Sequence, residues 1–141
     1  MDLLFIVRDA LASAFIGTAL AAADARVQGR EVGVLVTGEA LAAFAGGAVG
    51  WPRELAGQTM RLGLADRGTA LGLPLTAKGE ARQLDAKGAV AAAGAAGVTL
   101  YACPIWSALL GLAAVPAGLT PIDRPELARL LQDTPRVVGS L

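Results

Sequence analysis

The chain has 141 residues and a mass of 14.2 kDa, the size of one domain rather than two. Twelve Lys and Arg balance twelve Asp and Glu at a sequence pI of about 6.2, so no basic excess exists to hold a phosphate backbone, and nucleic acid is set aside as a partner. At 55% hydrophobic and 17% charged, with mean hydropathy +0.57, the sequence is too apolar for disorder and long enough to bury a core.

Leu3-Leu4-Phe5-Ile6-Val7 is a continuous apolar run, the pattern of a strand buried on both faces, and it ends at Arg8-Asp9. Ala10 to Gln28 is rich in Ala and Leu, with Arg26 near its end and Gly29 just beyond, which predicts a crossover helix and its C-cap. Val32 to Val36 reads as a second buried strand, and Thr37 is placed to cap a short helix through Glu39, Leu41 and Phe44. Gly46 to Gly50 and Trp51-Pro52 read as loop; a helix is expected near Gly57–Gly72, then a short strand at Leu73-Pro74-Leu75-Thr76. Asp85 is placed to cap a helix from Ala86 to Ala96 that stops at Gly97, and Val98 to Ala102 is the next strand. Pro104 opens a helix through Leu112, Asp123 and Pro125 start another that runs to Gln132, and Arg136-Val137-Val138 is the last strand. This alternation predicts a single α/β domain over residues 1–141, with a mainly parallel sheet between two helical layers.

The residue types that are missing narrow the chemistry. There is no His and no Asn, which removes Ser-His-Asp and Cys-His couples within one subunit. A single thiol, Cys103, leaves no Cys/His cluster for zinc or an iron–sulfur group, so a transition-metal site is not expected. One cysteine forms no internal disulfide, and Met1-Asp2 with only five apolar residues before Arg8 is no secretory leader; a reducing cytoplasm is the expected location. No charged residue lies between Lys87 and Asp123, yet Gly94, Gly97, Pro104, Gly111 and Pro116 interrupt that stretch. A parallel sheet covered on both faces yields similar charge-poor runs, and a membrane span is not the expectation.

Open α/β sheets bind ligands at the carboxyl ends of their strands. The segments to search are therefore Arg8-Asp9, Thr37-Gly38-Glu39, Thr76 to Lys78, Cys103-Pro104 and Gly139-Ser140. Tyr101-Ala102-Cys103-Pro104-Ile105-Trp106-Ser107 is the most informative, because Cys103 falls between a buried strand and a helix opened by proline, at the N-cap or beside it. Backbone N–H groups and the positive end of the helix would favour thiolate, the nucleophilic form. The competing expectation is a buried cysteine that only fills space. Trp51 and Trp106 read as core packing or a lid over the cleft rather than as partner anchors. Gly46, Gly47 and Gly50 lack the Gly-Lys-Ser/Thr or Gly-x-Gly-x-x-Gly context of a nucleotide loop, and Glu54, Asp66 and Glu80 are explained by a solvated face.

A strand ending in Tyr-Ala-Cys, followed by an apolar helix with Ser107 four residues on and a Leu-Gly pair, resembles the DsrE/DsrF family, in particular its single-domain DsrE-like members. Phe5 to Asp9 resembles that family's first strand and loop, Val32 to Leu41 its second strand and Thr-Gly-Glu turn, and Gly63 to Leu75, with Asp66, Gly72 and Pro74, the segment leading to the middle of the sheet. The resemblance implies a three-layer α/β/α fold with a five-stranded, mainly parallel sheet, assembly into homo-oligomers (trimers or hexamers), and sulfur-relay chemistry at Cys103 that requires no metal or organic cofactor. On this expectation the protein is a sulfurtransferase: Cys103 takes sulfane sulfur from a donor persulfide, holds it as Cys–S–SH and passes it to an acceptor thiol on a partner protein or a small molecule. Thr37 and Ser107 are candidates to donate hydrogen bonds to that sulfur, although capping accounts for Thr37 and plain helix surface for Ser107. Arg8 is a candidate to attract an anionic donor such as thiosulfate, against a salt bridge to Asp9 or Glu39. Asp9, Gly38, Glu39, Pro104 and Trp106 complete the expected substrate-binding edge. The alternative is a non-catalytic oligomeric α/β module that binds a small anion or a partner protein, with Cys103 structural.

Overall fold

Every residue of Val32–Val36 (β2) is buried, as a valine-rich strand covered on both sides must be, and it holds the centre of a five-stranded sheet. Leu3–Val7 (β1) and Thr99–Ala102 (β3) flank it, Thr120–Pro121 (β4) pairs with β3 at one edge, and Val137–Val138 (β5) pairs with β1 at the other. The order is β4-β3-β2-β1-β5 and all four pairings are parallel, so the expected mainly parallel sheet is parallel throughout. The computed structural model describes residues 1–73, 84–139 and 141. The expected strand at Leu73-Pro74-Leu75-Thr76 falls, beyond Leu73, outside the described residues.

Parallel strands need crossovers, and helices supply them. Ala12–Val27 (α1) buries Ala12, Phe15, Ile16, Ala19 and Ala22, a stripe at three- and four-residue spacing. Ala86–Ala95 (α4) does the same with Ala86, Ala89, Val90 and Ala93. Alanine on both facing stripes lets the two helices pack closely on each other over one face of the sheet. Their C-terminal ends are tied together where Arg26 Nε donates to the Gly97 carbonyl at 3.2 Å. Arg26 in the last turn of α1 also suits the negative end of that helix. Gly38–Gly46 (α2) adds Ala40, Leu41 and Phe44 to the same core, and Phe15 and Phe44 stack with centroids 5.9 Å apart. After a 3-10 turn at Arg53–Leu55, Gln58–Ala70 (α3) buries Ala65 and Gly68, and the chain passes on through α4 to β3.

The opposite face is thinner. Leu4, Leu35 and Cys103 project there and pack with Leu127 of Arg124–Asp133 (α6). A capping box starts α6: Asp123 Oδ1 accepts from the Glu126 N–H at 2.7 Å, and Glu126 Oε2 accepts from the Asp123 N–H at 2.6 Å. Beside it lies Pro104–Leu109 (α5), which has no buried residue of its own. Helices on both faces make this a three-layer α/β/α fold.

Two departures from expectation have identifiable reasons. The helix expected to reach Leu112 ends at Leu109, because Gly111 takes φ +65° and the Gly111 and Leu112 N–H groups bond back to the Ala108 and Ser107 carbonyls at 3.0 Å each. β4 has no counterpart among the expected strands; two residues, one of them proline, carry no alternation, and proline is tolerated there because the strand is at an edge.

Candidate functional site

Val7 pairs with Val36 and Val36 with Ala102, so Arg8, Thr37 and Cys103 are the next residues along three neighbouring parallel strands. At a strand spacing of about 4.8 Å, their backbones span about 10 Å of the sheet's carboxyl edge. The ladder runs one residue past the strands: the Thr37 N–H donates to the Val7 carbonyl and the Cys103 N–H to the Val36 carbonyl, each at 3.0 Å. The first turn of α2 is fastened to the same edge by the Ala40 N–H, which donates to the Arg8 carbonyl at 3.0 Å. The structure thus brings together Arg8, Asp9, Thr37, Gly38, Glu39 and the Cys103–Ser107 segment, as the parallel topology predicts. Arg8, Asp9 and Glu39 are exposed there. The strand order reverses between β1 and β5, so Arg8, Asp9 and Gly139 flank the reversal while Cys103 lies two strands away from β1. Thr76 to Lys78, Glu80 and Ser140 lie outside the described residues.

Gly38 and Trp106 meet at this edge. Gly38 has φ +55°, a left-handed conformation that L side chains rarely adopt, and a Cβ there would lie 4.0 Å from Trp106 Nε1. The indole, 41% exposed, therefore leans over the start of α2. Trp51 is instead part of the packing: it is half-buried against the main core, with the Arg61 guanidinium 5.3 Å from its ring centroid. The glycines near it serve helix ends, Gly47 at the left-handed C-cap of α2 and the Gly50 carbonyl accepting from the Ala12 N–H at 2.7 Å.

Cys103 is the N-cap residue of α5, with Pro104 in its first turn. It is only 4% exposed, packed with Leu4, Leu35 and Leu127, and its side chain makes no capping hydrogen bond. Backbone N–H groups therefore do not hold the sulfur as the strand-to-helix position suggested. Thr37, for which capping was the simpler expectation, is the N-cap of α2 but makes no side-chain capping bond either.

Ser107 also departs from expectation. Exposed helix surface was the simpler account, yet its Oγ is buried and has no hydrogen-bond partner among the described residues. Its N–H donates to the Cys103 carbonyl at 2.9 Å, so it stands one helical turn beyond Cys103. A buried hydroxyl without a partner is uncommon and asks for an explanation at the site it faces. The i, i+4 spacing was the sequence signal for this pair; the leucine walls around the thiol had none, because they come from β1, β2 and α6.

Among the described residues no group of three or more His, Cys, Asp or Glu is placed to hold a metal ion, and no helix is long and apolar enough to cross a membrane. No family model matches the chain, and no curated protein matches it.

Proposed function

We propose that the protein is a cytoplasmic sulfur carrier of the DsrE-like kind, with Cys103 as the residue that holds sulfane sulfur. The observation that carries this is the pairing, at the carboxyl edge of a parallel sheet, of the chain's single thiol with an unpartnered hydroxyl one helical turn away. In the loading step the Cys103 thiolate attacks the outer sulfur of a donor persulfide. A new S–S bond forms at Cys103, the donor's own S–S bond breaks, and the donor leaves as a thiolate that takes up a proton. Discharge is the reverse exchange with an acceptor thiolate, that of a partner protein or a small thiol. Nothing is oxidised or reduced overall, and no cofactor takes part. The outer sulfur stands about 2.05 Å beyond Sγ, where the Ser107 hydroxyl gains the acceptor it otherwise lacks. Arg8 at the same edge supplies positive charge for an anionic donor. Exposed Ile105, Trp106 and Leu109 on α5, with Leu110 at its C-cap, support assembly into a homo-oligomer around this edge.

The burial of Cys103 favours a second reading: a non-catalytic oligomeric module in which the thiol is packing. Intact-protein mass after incubation with a polysulfide, with Cys103→Ser as control, separates the two. An added sulfur on the wild type alone, removable by a small thiol, is the expected result. No added mass, together with a native thiol that resists alkylation until the protein unfolds, refutes the carrier and leaves the module.

A further inference from the structure

On the face of the sheet opposite Cys103, a cavity of about 640 Å³ opens between α2, α4, β3 and the loop at residues 116–118. That volume falls within the roughly 300–1,000 Å³ of small-molecule sites. Phe44, Val90, Leu100 and Pro116 make it apolar, and among the described residues Lys87 is the only charged one in its lining. Lys87 sits in the first turn of α4, where the helix's own N–H groups make a cation unfavourable. It makes no salt bridge among the described residues; its ammonium lies 5.3 Å from the centroid of the Phe44 ring. The nearby Asp85 carboxylate is engaged in capping, accepting from the Lys87 N–H at 3.1 Å. The stability of α4 therefore does not account for a cation here; the ammonium lies toward Gly47, the C-cap of α2, and the Phe44 ring, and a wholly apolar molecule would bring it no counter-charge. A small hydrophilic anion would in turn strand the apolar walls.

We propose that this cavity binds a medium-chain carboxylate, its chain against Phe44, Val90 and Leu100 and its head group on Lys87. The site is independent of the sulfur chemistry, being on the other side of the sheet. Calorimetric titration of the full chain with decanoate, below its micellar range, tests it. Saturable binding at one site per chain is expected, with decanol about tenfold weaker and Lys87→Gln weakened by the same factor, the loss of one charge-assisted bond. Ala91→Leu, whose new side chain grows into the cavity from an exposed position on α4, should abolish binding, whereas Cys103→Ser should leave it unchanged. Amide exchange of the wild type should slow on decanoate addition at residues 44–45, 87–94 and 117–118, which keeps the test open should a variant fail to fold. Non-saturable heats, decanol binding as tightly as decanoate, or exchange protection elsewhere would overturn the proposal.

Discussion

Replacing Ser107 with alanine should make the protein more stable and, if Cys103 carries sulfur, worse at holding it. A buried polar group without a partner costs about 1–3 kcal/mol. Ser107 is only half-buried as a residue although its Oγ is fully enclosed, which places it toward the lower end of that range. Alanine adds about half a kcal/mol from its higher helix propensity. The sum is about 1–2 kcal/mol, or a rise of about 3–6 °C in Tm for a chain of this size. Loading should move the other way. Loss of a hydrogen bond to a charged sulfur corresponds to at least about a tenfold fall in the equilibrium constant for persulfide formation. Thermal and guanidinium unfolding measure the first effect, and intact mass at a fixed ratio of persulfide donor to thiol measures the second. A Ser107→Ala protein that is less stable than wild type would refute the claim that this hydroxyl is unpartnered. Unchanged loading would remove Ser107 from the site and leave Cys103 without its supporting group.

Gly38→Ala forces a side chain into the left-handed region at φ +55° and should cost about 1 kcal/mol in a denaturant melt; the tryptophan emission should shift as well, since Trp106 Nε1 lies 4.0 Å from the new Cβ. Unchanged stability would mean that the start of α2 is free to rearrange. Asp123→Ala removes one half of the capping box and should cost about 1 kcal/mol. Because α6 contributes Leu127 to the cover of Cys103, the same variant should speed alkylation of the native thiol, and an unaltered alkylation rate would show that α6 does not control access to it.

What the sequence made legible follows from which signals are local. β1 and β2 are uninterrupted apolar runs, and α1 and α4 are alanine-rich segments closed by Gly29 and Gly97, so each element declares itself within its own residues. The parallel alternation then places the strand ends on one edge, which is why Arg8, Thr37 and Cys103 could be grouped without coordinates. β4 could not be found that way, because Thr120-Pro121 becomes a strand only by lying beside Tyr101 and Ala102. Nor could the depth of Cys103, since strand parity says which face a residue points to but not how well that face is covered. The cavity beside Lys87 is the extreme case: its walls come from residues around 44, 90 and 117, and no window of sequence contains them together.

The unequal cover of the two faces bears on how a buried thiol could exchange sulfur. Under α1, α2 and α4 the core is continuous, with Phe15, Leu41 and Val36 all but sealed from solvent. On the other side Cys103 has three leucines around it and, leading away from it, a six-residue helix with no buried residue that exposes Ile105, Trp106 and Leu109. Local opening costs least where few apolar contacts must be broken, so α5 is the element on this face that can move while the rest of the fold stays intact. The N-cap position makes this specific: Cys103 is fixed on its strand side by its N–H bond to Val36 and on its helix side by α5 alone. On the proposed reading, an exposure of 4% therefore describes the resting protein, and opening of α5 is what would admit a donor to the sulfur.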